Sequence, residues 1–275
     1  QLIIMKLFIH TLVSTALIAV SFCLFSCDEN TEGFGSTGRD GLPSAFKTEN
    51  QTTYLSYSGN RLLQMMNQDG FTTTFNYEGN ELRGISYAPP ADPNIADGHG
   101  YTGFEKEGNK IIVKQSGEPS MDISYNQEIE LDGNGFPTKI TDLGAFQITS
   151  EGYKKVWDGK YYYALTFEPS TKNLLKLEKF NLKDSTLITT SSFQYSDQPG
   201  SMSQVELPLW FFSYHSLTSG ISSRQYLNYR NTLTEETVTD GKTGNTHTTY
   251  YKYTYNKNAY PVAVDNGEEK MDIRY

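Results

Sequence analysis

Tyr57-Ser58-Gly59-Asn60-Arg61-Leu62 and, twenty residues on, Tyr77-Glu78-Gly79-Asn80-Glu81-Leu82 share the pattern Y-x-G-N-x-L. Each copy reads as the end of one strand, a tight turn and the start of the returning strand. Gly and Asn tolerate the positive φ that short hairpin turns require. Phe104-Glu105-Lys106-Glu107-Gly108-Asn109-Lys110-Ile111 is a looser copy. Two later copies drift to Leu131-Asp132-Gly133-Asn134-Gly135-Phe136-Pro137 and Tyr255-Asn256-Lys257-Asn258-Ala259-Tyr260-Pro261. One hairpin cannot bury its own apolar face, so successive hairpins must pair into a continuous sheet.

The flanking sequence agrees. From Met121 to Leu131, Met121, Ile123, Tyr125, Ile129 and Leu131 fall on one alternation face, and Asp122, Ser124, Asn126, Glu128 and Glu130 on the other. That is a strand with one buried and one wet face. Phe71, Phe75 and Tyr77 repeat the pattern, as do Tyr251, Tyr253 and Tyr255. Asp158-Gly159 reads as a further hairpin turn. Asp132-Gly133-Asn134-Gly135 resembles the start of a calcium loop, but Phe136 and Pro137 stand where the EF-hand needs an Asp or Asn and a Gly. It is read as a turn. The 20 Tyr and 15 Phe suit half-buried pleated surfaces.

One segment departs from period two. Leu207, Trp210, Phe211 and Tyr214 are spaced i, i+3, i+4, i+7, and Pro208 suits a first helical turn. The spacing predicts a short helix over 204–215 that covers an opening or one face of the sheet. The alternative is a buried aromatic strand. The expected fold is mainly β: an antiparallel meander of repeated hairpins curled into an open or partly closed barrel, with one short helix.

The N-terminal part reads as an address. Met5-Lys6 is read as the start, and Leu7 to Phe25 is apolar and nearly uncharged. The run ends Leu24-Phe25-Ser26-Cys27, which resembles the bacterial lipobox, with Phe25 bulkier than usual. The resemblance implies a signal peptide over 1–26, cleavage before Cys27 and diacylation of that cysteine. An uncleaved anchor helix is the alternative. Asp28-Glu29-Asn30 is similar to the export signal of Bacteroidetes surface lipoproteins. Residues 27–50, rich in Gly, Ser, Thr, Asn and charge, are expected to form the lipidated end and a flexible tether. Residues 51–275 are expected to form one β-rich repeat domain. The localisation expected is the outer membrane of a Gram-negative bacterium, on the cell surface.

Y-x-G-N-x-L is itself similar to the tyrosine–aspartate repeat of RHS-type proteins, whose hairpins form long curled sheets. With the lipobox and the drifting N-x-x-P copies, the chain resembles an uncharacterised Bacteroidetes lipoprotein family carrying degenerate repeats of this kind, over roughly 51–275. Ser58 and Glu78 occupy the position of the expected aspartate. The family brings no catalytic residues.

Composition excludes some chemistry. With 23 Lys and Arg against 32 Asp and Glu, the net charge of −9 offers no basic face to nucleic acid. After cleavage one cysteine remains, the lipid site, so no internal disulfide or cysteine zinc site can form. His99, His215 and His247 show no ligand spacing. No G-x-S-x-G, H-E-x-x-H or P-loop is present. No cofactor, metal or catalytic residue is therefore assigned.

The aromatic excess is the functional lead, because Tyr and Trp stack on sugar rings and anchor interfaces. Trp157, beside the Asp158-Gly159 turn, and Tyr162, on the opposite face from Tyr161 and Tyr163, are the candidate ligand-binding residues. Capping the end of the core is the structural alternative for Trp157. The reading is a non-catalytic lipoprotein held to the membrane through Cys27 that binds an extracellular glycan or protein. A structural component of an envelope complex is the alternative, and a carboxylate-dependent hydrolase a third.

Overall fold

The computed structural model describes residues 41–90, 99–116, 123–149, 152–217 and 220–275. Cys27 and the whole signal-peptide reading lie outside these residues. The described chain forms one sheet of 18 strands. In order these are β1 (Ala45–Thr48), β2 (Thr52–Ser58), β3 (Arg61–Asn67), β4 (Thr72–Glu78), β5 (Glu81–Ala88), β6 (Gly100–Glu107), β7 (Lys110–Ser116), β8 (Ile123–Leu131) and β9 (Pro137–Thr149). They continue as β10 (Gly152–Asp158), β11 (Tyr161–Phe167), β12 (Leu174–Asn181), β13 (Leu187–Pro199), β14 (Asn231–Asp240), β15 (Thr246–Tyr250), β16 (Lys252–Tyr255), β17 (Pro261–Asp265) and β18 (Lys270–Arg274). Every ladder between them is antiparallel, and consecutive strands pair almost throughout. The expected meander is what the chain adopts.

The Y-x-G-N-x-L copies share the same pairing register. Ser58 pairs with Arg61 and Glu78 with Glu81, while Tyr57 faces Leu62 and Tyr77 faces Leu82. Gly59 and Gly79 take φ of 64° and 60°, the left-handed region that glycine enters without penalty. Both hairpins carry a bulge just before the repeat tyrosine. That tyrosine also ties neighbouring hairpins together. The Tyr57 hydroxyl donates to the Pro43 carbonyl at 2.8 Å and the Tyr77 hydroxyl to the Leu62 carbonyl at 2.9 Å. The drifted copies share another turn. Leu131 faces Pro137 and Tyr255 faces Pro261. In each, the side chain after the first strand accepts two backbone N–H bonds: Asp132 from Asn134 and Phe136, Asn256 from Asn258 and Tyr260. The Asp132 carboxylate thus serves the turn.

The barrel is nearly closed, with one seam. β1 joins its two ends, since Phe46 faces Thr53 on β2 and Ile273 on β18. The seam lies where β15 pairs with β14 and β16 pairs with β17, and the chain hands over between them at the buried Tyr251. Here Glu236 on β14 accepts a bidentate ion pair from Arg224, at 2.6 and 2.7 Å, and a 3.1 Å bond from the Tyr251 hydroxyl. This buried cluster pins the two halves of the strand. Among the described residues all ladders fall between Ala45 and Arg274.

Two expectations are corrected. The ordered domain begins before residue 51, because Leu42, Ala45 and Phe46 are buried and β1 is needed to close the ring. Burial of Leu42, Pro43, Ala45 and Phe46 goes with ladders to both β2 and β18. The aromatic segment is helical, but as α1 (Leu209–His215), α2 (Ile221–Arg224) and a 3-10 turn (Gln225–Leu227), and it fills the barrel instead of covering it. Trp210, Phe211 and Phe212 are all buried. Phe211 meets Phe75 edge-on at 5.6 Å and Phe104 at 6.0 Å, while Phe212 stacks on Tyr229 at 5.1 Å. Four consecutive residues, Trp210 to Ser213, are buried while Leu209, Tyr214 and His215 are half-buried, so a single apolar stripe does not describe the helix.

Candidate functional site

Beyond the core, β8, β9 and β10 continue as an open flap, and their register lines up one row. Gln115 on β7 faces Tyr125 on β8, Tyr125 faces Ala145 on β9, and Ala145 faces Trp157 on β10. Ala145 is small and almost fully buried, because the two flanking rings lean over it. Tyr125 and Trp157 lie nearly parallel, at 13°, with centroids 6.3 Å apart. Their outer surfaces are free: Trp157 is 55% exposed and Tyr125 48%. The described residues thus present two parallel, stacked and half-exposed aromatic rings beside the position of Gln115.

The backbone beneath explains why the rings meet. Trp157 is not at a hairpin tip, as the Asp158-Gly159 pattern suggested. β10 and β11 do not pair with each other. Both run along one edge of β9, β10 against Gly144–Thr149 and β11 against Lys139–Thr141. The bend between them is held by Asp142, whose carboxylate accepts the N–H groups of Gly144 and Lys160, each at 2.8 Å. Gly144 sits at φ 90°, and a Cβ there would lie 2.1 Å from the Trp157 carbonyl oxygen. This close approach admits only glycine and seats Trp157 beside Ala145.

The alternation of β8 also inverts in the flap. Ile129 is fully buried and Glu128 faces outward, yet Ser124 and Asn126, expected on the wet face, are buried and bonded to each other at 2.6 Å. Tyr125 keeps the face of Ile129 where that face has lost its cover. Its alternation marked it as a core residue, and only its place relative to the rim makes it a surface one.

Tyr162 is not part of this platform. It faces Thr141 and Phe180, stacks on Phe180 at 4.9 Å and carries the Lys139 ammonium 5.0 Å above its ring. Tyr161 and Tyr163 do lie on the opposite face, with the Lys179 ammonium 3.9 and 5.7 Å from their rings. Tyr162 is half-buried packing between strands, and the partner of Trp157 is Tyr125.

Elsewhere the outer wall is charged. Lys110 pairs with Glu128, Lys114 with Glu105, Lys139 with Glu130 and Lys176 with Glu178, at 2.6 to 3.5 Å. Each pair adds little stability. Several of them, such as Lys114, Glu128 and Glu178, lie within their strands, where a barrel crossing a bilayer presents an apolar band. No helix among the described residues is long and apolar enough to cross a membrane. Among the described residues Glu236 is the one buried carboxylate, and it is committed to Arg224 and Tyr251.

No family model and no curated protein matches the sequence. Among solved structures, the chain is similar to a porin-like protein from Bacteroides uniformis, at 13% identity and a TM-score of 0.39, over 84% of this chain and 96% of that one. It is also similar to a porin-like protein from Bacteroides vulgatus, at 9% identity and a TM-score of 0.37, over 85% and 98% of the two chains. Overlap this loose carries nothing about function.

Proposed function

We propose that the chain is a non-catalytic outer-membrane lipoprotein, anchored through lipid on Cys27, whose barrel binds an extracellular glycan on the Trp157–Tyr125 platform. The observation that carries this reading is a tryptophan more than half exposed, held parallel to an exposed tyrosine by a backbone bend that only glycine permits. Flat aromatic faces stack on the apolar faces of sugar rings, and a neighbouring amide such as Gln115 suits sugar hydroxyls. The charged outer wall supports a barrel held beside the membrane by its anchor.

A protein partner is the second reading, and one observation favours it. The outer edge of β10 has no ladder partner among the described residues, and such an edge can accept a strand. Lys154 and Lys155 on that strand are, however, the kind of residue that blunts an edge against pairing.

Affinity electrophoresis of residues 41–275 through gels containing a panel of host and dietary polysaccharides tests the glycan reading. Retardation by at least one is expected, abolished in Trp157→Ala, weakened in Tyr125→Ala and kept in Tyr162→Ala. No retardation by any, or retardation untouched by Trp157→Ala, would remove this site and leave the β10 edge as the surface to pursue by cross-linking.

A further inference from the structure

At the end of the barrel where the β1–β2 hairpin meets the enclosed helices, the core leaves a cavity of about 130 Å³. Phe46, Met65, Met202 and Tyr226 form its apolar part, and Thr53 and Ser222 contribute hydroxyls. Phe46 and Met202 are buried, whereas Gln51 and Ser222 at the rim are exposed, so solvent reaches it. None of the lining residues carries a charge. Two methionines among the lining allow it to adapt to what enters.

Tyr226 gives the cavity a direction. Its ring packs against His215 at 5.2 Å and Phe211 at 6.3 Å, which fixes it. Its hydroxyl donates to the Met65 sulfur at 3.7 Å. A thioether is a weak acceptor, so a ligand oxygen would be the better partner. Burial pushes the hydroxyl's pKa up, which keeps the proton on it at neutral pH.

An apolar cavity of about 150 Å³ takes up benzene, so this one admits a single six-membered ring. We infer that the cavity is a second binding site, for an uncharged ring of phenol size bearing one hydroxyl or carbonyl oxygen that accepts from the Tyr226 hydroxyl. It is independent of the Trp157 platform, and the two stand or fall separately.

Methyl-13C-methionine NMR of residues 41–275, titrated with phenol and with benzene, tests it. Saturable shifts are expected at the Met65 and Met202 methyls, with Met66 and Met271, which do not line the cavity, unmoved. Phenol should bind about tenfold tighter than benzene, the ratio for one net hydrogen bond, and Tyr226→Phe should erase that preference. Should that variant fail to fold, Thr53→Trp, which fills the mouth, should abolish both ligands' shifts. No saturable shift at Met65 and Met202, equal shifts at all four methyls, or an unchanged phenol preference in Tyr226→Phe would overturn the assignment.

Discussion

Removing the Phe211 ring should unfold this barrel more readily than removing any other single aromatic of the enclosed helix. The side chain has 0% exposure at the centre of α1. Its ring meets Phe75, Phe104, Trp210 and Tyr226 edge-on at 5.6 to 6.3 Å and lies on His215 at 4.2 Å. Phe→Ala in a core costs about 3–5 kcal/mol, through lost transfer energy and the cavity left behind. Edge-to-face pairs add about 0.5–1.5 kcal/mol each beyond burial. The helix is walled by sheet, so the site cannot collapse, and about 4 kcal/mol or more is expected. With a urea slope of roughly 2–3 kcal/mol per molar, the midpoint should fall by roughly 1–2 M. Phe71→Ala, at a ring 44% exposed, is the control and should move it by well under 1 M. Equal midpoints for the two variants would refute the claim that α1 fills the barrel.

Other predictions follow from the same geometry. Arg224→Ala strands the Glu236 carboxylate in the core and should destabilise by about 3–5 kcal/mol, whereas Arg224→Met with Glu236→Leu should recover most of that loss in the same urea assay. Burial holds the His215 imidazole down at about 4, from 6.5. The unfolded chain therefore binds the proton first, and stability present above pH 6.5 should drain away as pH falls towards 4. At 1.36 kcal/mol per unit the loss is about 3 kcal/mol, and His215→Phe should flatten the profile of midpoint against pH over that range. Deleting residues 41–48 removes β1 and the buried Phe46, so the shortened domain should lose cooperative unfolding by near-ultraviolet circular dichroism.

How much of this the sequence discloses depends on whether the signal is local. The hairpins were legible because Gly59, Gly79 and the Asp132 and Asn256 turns act over a handful of residues, and their register follows. The helix was legible in kind at Leu209–His215, but its enclosure was not, since that is set by strands more than a hundred residues away in the chain, such as those bearing Phe75 and Phe104. β1 was hidden because Leu42, Ala45 and Phe46 are too few to show a period. Trp157 is legible as a large aromatic beside Asp158-Gly159, but that pair, which reads as a hairpin turn, is a bend along β9. Tyr125 was hidden in plain alternation, and nothing local tells a core tyrosine from one just past the rim. Tyr162 shows the converse: an aromatic cluster in sequence that the fold spends on packing.

The most direct test of the proposed site uses the two tryptophans against each other. In Trp210→Phe, Trp157 is the remaining indole, and its emission reports the platform. Addition of the polysaccharide panel should shift that emission to the blue and lower its quenching by acrylamide for at least one glycan, with Tyr125→Ala weakening the effect. Emission and quenching unchanged by every polysaccharide would contradict the account and leave the Trp157–Tyr125 pair as a cap over Ala145.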